Sequence, residues 1–600
     1  MGIRGLTSLM NKYSSEVYER FELRDSTLII DGYNLANDLY FTGQVDIIFG
    51  GDYPKYCEIV TGFFRLLKAR NVTPIVIMDG PFDEYGAKKN TLRKRHGERI
   101  QRCRQAVEYL IQTNKMDTNA RVFPSFAVTV FEDTAKLCGI EVIQTFIEAD
   151  SFVAYKAGQL KCPVLSNDSD FFIHDLKFGF IPFEKFPFSG SDFRQILFDG
   201  SFKNPIICQI FFLEKFLALF PGLEADLLPL FATLMGNDFI DKQEFSRFFA
   251  IDDVLSLVEP ENEQSLRSKI RNSVDMYNTE RFLIHNFDHG FTTSNHEIDL
   301  ATKNFNAPAW LLNQFRNGQV HPTIARLLIN REIYCVSLTG DPKSGTMFDC
   351  CEDIFRAIYN IILLFWESQI DHNTNLSIVE WNCKFYGQMK REVFVDENSA
   401  SKLPSLSEIG DLTVAERRKF FYSIINLDDP SMIRSLETLV PSELQLYVLC
   451  LYYLASKNDN EDIGFRILDS LIISAYTRTY PLLKKRDSAN DGAEQFLRNY
   501  GRLNWSMRND FLKSDLVILH ELTRFNEVLF ALTLLNSILD CGFSNLRMEN
   551  LYGGTAVWNT IKKHDGNFSA LLSKIAGIGA KMNQSFYQNI TNFRASVLEM

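Results

Sequence analysis

Two aspartates, Asp168 and Asp170, are the residues of this sequence whose type and spacing most clearly suggest chemistry. They lie in the stretch CPVLSNDSDFFIHD, soon after a short apolar run and directly before two phenylalanines. An apolar run that ends in an acidic turn is typical of a strand in a parallel sheet, and open α/β sheets bind ligands beyond the carboxyl ends of their strands. The pair therefore predicts ligands of a metal ion at the edge of a sheet.

Five more acids occupy comparable positions in the first 240 residues. Two of them end an apolar run and precede a glycine, two open a predicted helix, and the last lies in the glycine-containing break LMGNDF. In chain order they are Asp31, Asp79, Glu148, Asp150 and Asp238. Taken singly, each could serve a turn or a helix cap. Their repetition at the ends of apolar strands and the starts of helices favours one common site.

The elements that must position these acids alternate between strand and helix from about residue 26 to residue 240. Apolar and β-branched runs predict strands at 26–30, 72–78, 140–143, 163–165 and 178–183. Helical spacing predicts helices at 53–70, 88–104, 124–138, 148–158, 209–220 and 225–235. This alternation predicts an α/β fold with a central, mainly parallel sheet flanked by helices. Because the carboxyl ends of such strands meet in one cleft, we expect the seven acids to converge.

Seven carboxylates in one cleft require cations, because like charges at close range are costly. Hard oxygen ligands with no cysteine among them favour Mg²⁺ or Mn²⁺. Two such ions, about 4 Å apart, would bind the attacking and leaving oxygens of a phosphodiester and activate a water as the nucleophile. The acids therefore predict a hydrolase of phosphodiester bonds that forms no covalent enzyme intermediate.

A positive segment at residues 88 to 104 stands out in a chain whose net charge is -12. It contains one acid, Glu98, and few helix breakers, which predicts a helix. The helix could be a solvated surface or a localisation signal, or it could be an arm that contacts phosphates. The candidate nucleic-acid contacts in this segment are Lys88, Lys89, Arg93, Lys94, Arg95 and Arg99.

Composition indicates a folded, multidomain chain. Hydrophobic residues make up 46% of the 600 residues and 51 are phenylalanine, which argues against long disorder. We expect a first domain over residues 1–250 and a mainly α-helical region over 251–600, which either completes the fold or binds a protein partner. Eleven cysteines without a C-x-x-C pair predict reduced thiols and no zinc site. The sequence shows no apolar leader and no apolar run of membrane-spanning length, so we expect no membrane partner. The basic segment and the expected substrate favour a nuclear protein, with the cytoplasm as the alternative.

Six motifs together resemble a known family. MGIRGL, IIDGYN, VIMDG, IEAD, SNDSDFF and LMGNDF occur in the order expected of the flap endonuclease (XPG-like) superfamily, which has a PIN-like nuclease domain. The longer form CPVLSNDSDFFIHDLKFGFIPF is more similar to the Asteroid branch of that superfamily. The resemblance covers roughly residues 1 to 240 and rests on the ordered set of motifs.

The resemblance implies roles for individual residues. One metal ion would be held, directly or through water, by Asp31, Asp79, Glu148 and Asp150, and a second by Asp168, Asp170 and Asp238. Gly2 would lie near the scissile phosphate once Met1 is removed, and Arg4 in the same motif is a further candidate nucleic-acid contact. Lys88 and Arg95 would contact the reacting phosphate from a helical arch at about residues 83 to 125, through which a single strand could pass.

The chain departs from flap endonucleases after Asp238. Those enzymes continue into a glycine-rich element that grips duplex DNA, whereas FIDKQEFSRFFAIDDV contains no glycine. We therefore expect a metal-dependent, structure-specific endonuclease that cuts single-stranded, overhanging or flap DNA, with a role in DNA repair. The alternatives are a catalytically silent PIN-like scaffold that binds nucleic acid or protein, and a nuclease that acts on RNA.

Overall fold

A seven-stranded sheet forms the centre of the amino-terminal part of the chain in the computed structural model. The structure describes residues 3, 5–81, 89–117, 119–145, 149–187, 204–220, 223, 225, 228–235, 307–334, 339–340, 347–369, 376–384, 387–394, 403–457, 461–483, 493–503, 511–512, 515–576 and 584–598. The strands are β1 (Tyr18–Leu23), β2 (Ser26–Asp31), β3 (Val72–Met78), β4 (Glu141–Gln144), β5 (Val164–Ser166), β6 (Phe180–Pro182) and β7 (Ile206–Phe211). They lie in the order β1-β7-β6-β5-β2-β3-β4.

The predicted α/β fold with a mainly parallel sheet is confirmed. Strand β2 pairs in parallel with β3 and β5, β3 with β4, and β5 with β6. Only the edge is antiparallel, where β7 pairs with β1 and β6. The prediction of a helix over 209–220 is wrong in its first part, because Ile206–Phe211 alternates inward and outward side chains as a strand and the helix begins at Leu213.

The chain changes its direction of travel across the sheet between β2 and β5. It runs from β2 through β3 to β4 on one side, and then crosses to β5 and β6 on the other. Such a switch point opens a crevice outside the carboxyl ends of two neighbouring strands. Those ends carry Asp31 on β2 and Ser166 on β5, followed by the predicted pair of aspartates.

Helices flank the strands and fill most of the carboxyl-terminal part. In the first 235 residues they are α1 (Leu6–Lys12), α2 (Ser14–Val17), α3 (Gly32–Thr42), α4 (Tyr53–Lys68), α5 (Lys89–Thr113), α6 (Ala127–Leu137), α7 (Ala149–Leu160), α8 (Leu213–Leu219) and α9 (Leu228–Met235). From residue 307 they are α10 (Ala309–Arg316), α11 (Pro322–Asn330), α12 (Glu352–Glu367), α13 (Leu406–Ile409), α14 (Val414–Ile424), α15 (Pro430–Leu439), α16 (Ser442–Ser456), α17 (Glu461–Leu483), α18 (Ala493–Arg502), α19 (Leu516–Leu539), α20 (Gly554–Lys563), α21 (Phe568–Ala576) and α22 (Gln584–Leu598).

The chain divides into two compact units that share its amino-terminal part. The first unit comprises residues 1–43, 59–92 and 134–305, and the second comprises 44–58, 93–133 and 306–600. Helices α4, α5 and α6 therefore each begin in one unit and end in the other. The predicted domain boundary at residue 250 stays a prediction, because it lies outside the described residues.

The second unit contains a small sheet that the sequence did not predict. Strand β8 (Glu332–Tyr334) pairs in parallel with β9 (Ser377–Lys384), which pairs antiparallel with β10 (Gly387–Phe394). The remaining described elements of this unit are helical, as expected. One helix in the part of the chain that the structure describes, α19, is long and apolar enough to cross a membrane, but 83% of its most apolar window is buried. It is the core helix of this unit, packed against α12 and α16.

Candidate metal centre

The first unit brings three of the predicted acids into one cluster. Among the described residues, Asp150, Asp168 and Asp170 each offer a carboxylate oxygen, and these oxygens all lie within 4.8 Å of one another. All three side chains are half-buried. Three carboxylates at this distance repel one another, so the group is suited to bind a hard divalent cation through oxygen.

Asp31 and Asp79 extend this acidic group along the sheet. Asp31 is the last residue of β2 and caps α3, where its Oδ1 accepts a hydrogen bond of 3.2 Å from the Asn34 N–H. Burial, followed by the charges of Asp79 and Asp168, raises the pKa of Asp31 to about 8, although a hydrogen bond from Ser166 opposes the shift. Burial and the like charges of neighbouring acids therefore both favour the protonated form of Asp31.

Asp79 follows β3 directly and controls the start of α7. Its Oδ1 accepts a hydrogen bond of 2.7 Å from the Ala149 N–H, the first residue of that helix. Asp150 is the next residue, so the bond that caps the helix also fixes the position of a cluster member. A carboxylate at a helix amino terminus is favoured by the helix dipole. The helix-capping explanation of these acids and the metal-ligand explanation are therefore compatible.

Asp168 and Asp170 are fixed by the turn that follows β5. Asp168 caps a short 3₁₀-helix, Ser169–Phe172, and accepts a hydrogen bond of 3.2 Å from the Asp170 N–H. Asp170 in turn accepts a bond of 3.0 Å from the backbone N–H of Ile3. Phe171 and Phe172 are buried in the core below the turn. The two phenylalanines thus anchor the turn, and the carboxylates lie two residues apart directly before them.

Two site residues escaped the sequence analysis. The Ser166 hydroxyl donates to Asp31 Oδ2 at 2.8 Å and accepts from the Asp168 N–H at 2.9 Å. The Asn34 side chain accepts a bond of 2.9 Å from the Asn167 N–H. A serine and an asparagine in a strand-to-turn junction look like ordinary turn residues. The signal for Ser166 was its place as the final residue of the strand beside β2.

The remaining predicted site residues are placed as follows. Gly2, Arg4, Lys88, Glu148 and Asp238 lie outside the described residues, so their roles stay predictions. Lys89, Arg93, Lys94, Arg95 and Arg99 lie on α5, as the predicted basic helix requires. Lys94 and Arg99 are exposed, whereas Arg93 forms an ion pair of 3.0 Å with Glu332. The predicted arch function of this helix stays a prediction.

The position of Asp150 also bears on which acids would bind which of two metal ions. The resemblance assigns Asp150 to the first ion and Asp168 with Asp170 to the second. In the structure, Asp150 groups with the latter two. The two predicted ligand sets therefore meet at Asp150.

Comparisons with known proteins show similarity to Asteroid proteins. Residues 443–599 match the family model of the Asteroid N-terminal domain. The chain is 24% identical over 610 residues to single-strand DNA endonuclease ASTE1 of Homo sapiens, a match that covers 93% of this chain and 85% of that protein. The ASTE1 protein of Danio rerio is 34% identical over 241 residues, which cover 40% of this chain and 33% of that protein. Protein asteroid of Drosophila melanogaster is 31% identical over 297 residues, covering 42% and 33% of the two chains.

A solved structure of the catalytic core of Rad2 in complex with DNA substrate is 16% identical, with a TM-score of 0.30, and the match covers 51% of this chain and 80% of that chain. Similarity to ASTE1 extends over most of the chain, and the predicted resemblance to the Asteroid proteins is confirmed.

Proposed function

We propose that this protein is a metal-dependent endonuclease that hydrolyses phosphodiester bonds in single-stranded or overhanging DNA. The observation that carries the proposal is the convergence of Asp150, Asp168 and Asp170, with Asp31 at the end of β2 and Asp79 directly after β3. The names of the ASTE1 relatives, single-strand DNA endonucleases, support the substrate class.

The chain's own residues would prepare the site in three ways. The acids supply oxygen ligands for Mg²⁺ or Mn²⁺, and Asp150 is suited to serve both ligand sets. Ser166 orients Asp31, and the Ile3 N–H orients Asp170, so that two carboxylates have fixed rotamers before substrate arrives. When bound, a pair of such ions would neutralise charge on the phosphate and activate a water. A role in DNA repair and a nuclear location belong to the same proposal.

The decisive experiment compares cleavage of labelled single-stranded, overhang and flap DNA by the wild type, Asp168→Asn and Asp170→Asn. Each variant keeps the side-chain shape and removes one ligand charge, and we expect at least a 100-fold loss of rate, since binding and positioning survive while charge stabilisation is lost. The matched control is Asp175→Asn, an exposed acid in the same stretch, which pairs with Lys177 at 4.0 Å. Equal rates in wild type and both site variants would refute the metal assignment.

Two further measurements separate the alternatives. Titration of Mg²⁺ and Mn²⁺ by calorimetry, with the same three variants, tests metal binding without relying on activity. A silent scaffold would bind a labelled strand and leave it intact at every metal concentration. Digestion of DNA and RNA strands of one sequence decides between the two nucleic acids, and faster cleavage of RNA would overturn the substrate proposed here.

A further inference from the structure

The basic helix α5 is fastened to the small sheet of the second unit along one continuous stripe. Its buried or partly buried positions Arg93, His96, Ile100 and Cys103 are three or four residues apart, which puts them on one helix face. Arg93 and His96 contact side chains of the β8–β10 sheet. Cys103 lies near Cys383 of β9, and its burial together with that thiol raises the pKa of Cys103 to about 12.

Arg93 combines an ion pair and a ring contact in this stripe. Its Nη2 lies 3.0 Å from Glu332 Oε1, and the Glu332 side chain is 4% exposed. Its guanidinium stacks over the Trp381 ring at 4.7 Å. The Tyr334 hydroxyl donates to the other Glu332 oxygen at 3.1 Å, and the Tyr334 and Trp381 rings are parallel neighbours. A planar guanidinium suits such a combined ion pair and ring stack in a way that an ammonium does not.

A second contact fastens the next turn of the helix. Gln388 of β10 donates from Nε2 to the Arg93 carbonyl oxygen at 3.0 Å, and the same nitrogen lies 2.9 Å from His96 Nδ1. His96 also packs edge-on against the Tyr334 ring at 5.4 Å. Side chains from all three strands therefore meet the same two turns of α5.

These contacts conflict with a direct role of Arg93 in binding phosphate. To reach a phosphate, the guanidinium would have to leave Glu332, and breaking an ion pair with a buried carboxylate is costly. Lys94, the next residue, is exposed, and so is Arg99. The basic residues of α5 thus fall into a set that holds the helix and a set that faces solvent.

We propose that Arg93 is a positioning residue for nucleic-acid binding, and that the three-stranded sheet is the support that presents Lys94 and Arg99 to a single strand. The proposal rests on the proposed function, because it names how the same nuclease holds its substrate. It revises the expectation that every basic residue of this segment contacts phosphate. The sheet, which carries Glu332, Glu380 and Glu392, then contributes to binding DNA through the helix that it supports.

The test uses Glu332→Gln in the full-length chain, because the two roles of Arg93 predict opposite signs. If Arg93 binds phosphate and Glu332 competes for it, removing the acid frees the arginine and tightens binding. If Arg93 positions the helix, Glu332→Gln loosens the helix and weakens binding, although the variant is less acidic. We expect affinity for a fluorescein-labelled single strand to fall about 5-fold or more, in line with the loss of a buried charged hydrogen bond. Glu392→Gln, an exposed acid of β10 paired with Lys390, is the matched control and should bind as the wild type or slightly more tightly.

A double-mutant cycle completes the experiment. Arg93→Met should weaken binding about as much as Glu332→Gln, and the double variant should add little, since both break one contact. Arg93→Lys, which keeps the charge and loses the stack, should recover only part of the affinity.

Lys94→Met should lower the salt dependence of binding by roughly 0.7 in the log–log slope, as one phosphate contact on a single strand does. Melting temperatures identify any variant that fails to fold, in which case the milder Arg93→Lys carries the comparison.

The outcomes separate this proposal from the function on which it rests. If the wild type cuts DNA and Glu332→Gln binds the single strand as tightly as the wild type or more tightly, the positioning role is overturned and the nuclease function stands. A wild type that neither binds nor cuts the strand overturns both. Weakened binding by Glu332→Gln, with a normal Glu392→Gln, supports the positioning role.

Discussion

At the scale of single residues, Ser166 links the two strands of the switch point through one hydroxyl. The hydrogen goes to Asp31 and the oxygen accepts from the Asp168 N–H, so one side chain orients an acid on β2 and the turn after β5. The register places Ile30 beside Leu165, which sets Asp31 level with Ser166. Groups that orient metal ligands from behind typically change metal affinity by 10- to 100-fold.

We expect Ser166→Ala to weaken Mg²⁺ binding by about 10-fold with little loss of melting temperature, because the removed group is small and its main partner is a ligand. Calorimetric titration measures the affinity directly. Ser470→Ala is the matched control: its hydroxyl is also buried, but it donates to the Arg466 carbonyl oxygen within α17. An unchanged affinity in Ser166→Ala would contradict the orienting role.

Asp46 predicts a pH dependence that is separate from the metal centre. Burial, and to a smaller degree the charge of Asp52, raise the pKa of Asp46 to about 7, against hydrogen bonds from the Ile48 and Phe49 N–H groups and the charge of Lys55. An acid whose pKa is raised by folding stabilises the folded state most below its ordinary pKa near 4. That contribution is lost as the pH rises through about 7.

Asp46→Asn should therefore remove part of the dependence of the free energy of unfolding on pH. The amide keeps an oxygen that can accept from the two N–H groups and carries no charge at any pH. We expect the melting temperature of the variant, relative to wild type, to increase between pH 5 and pH 8 by a few degrees, an effect on the order of 1 kcal/mol or more. Thermal melts across this pH range measure it. A difference that stays constant with pH would mean that Asp46 does not titrate there.

At the scale of elements, the junction of β2 and α3 is where the site is least tolerant of added volume. A Cβ on Gly32 would overlap Met78 Sδ and lie 2.8 Å from Val76 Cγ1, both on the neighbouring strand β3. The residue before Gly32 is Asp31, and the residue after Met78 is Asp79. Close approach of the two strands therefore sets the separation of two predicted ligands.

Gly32→Ala should destabilise the chain by about 1–3 kcal/mol through overpacking, and should also weaken Mg²⁺ binding. Gly158→Ala on α7 is the matched control, because nothing lies within 4 Å of its added Cβ. A helical glycine replaced by alanine gains about 0.5–1 kcal/mol. Denaturant unfolding should give opposite signs for the two variants, and equal signs would contradict this account of the junction.

The buried parallel strands were predictable from the sequence, and the strands with one solvent-exposed face were not. Val72–Met78 is apolar at every position except Thr73, and the strand was predicted to the residue. Tyr18–Leu23 and Gly387–Phe394 carry charges on their exposed positions, so neither forms the apolar run that was used to find strands. The acids of the site were predictable because they follow apolar strands or, as Asp150 does, open a helix. Ser166 and Asn34 were not, since their contribution depends on a partner more than 130 residues away in the sequence.

At the scale of the whole molecule, the second unit depends on two segments from the amino-terminal part of the chain. Phe49 stacks on Trp558 with ring centroids 4.5 Å apart, and its carbonyl oxygen accepts a hydrogen bond from the Tyr552 hydroxyl. Gly554 donates to the Gly51 carbonyl oxygen at 2.8 Å. Residues 93–133 join the same unit through contacts such as the ion pair of Arg93. The units are therefore not consecutive pieces of sequence.

A fragment of residues 1–250 should consequently fold poorly on its own. It would contain 44–58 and 93–133 without the elements that bury Phe49, Tyr53 and the buried side chains of α5, such as Ile100 and Cys103. We expect low solubility and a broad, early thermal transition compared with the full chain, because exposed apolar surface favours aggregation. Size-exclusion chromatography and melting curves test this. A monomeric fragment with a sharp transition would show that the first 250 residues suffice.

The interleaving of the two units also has a consequence for biosynthesis. A ribosome that has released the first 133 residues has released two segments whose partners are encoded more than 150 codons later. Amino-terminal domains usually fold as they emerge, at roughly 5–20 residues per second. Helices α4, α5 and α6 each have residues in both units, so they cannot pack fully until the rest of the second unit has been synthesised, tens of seconds later. We expect the nascent chain to expose apolar helix surface during that time and to bind chaperones that shield such surface.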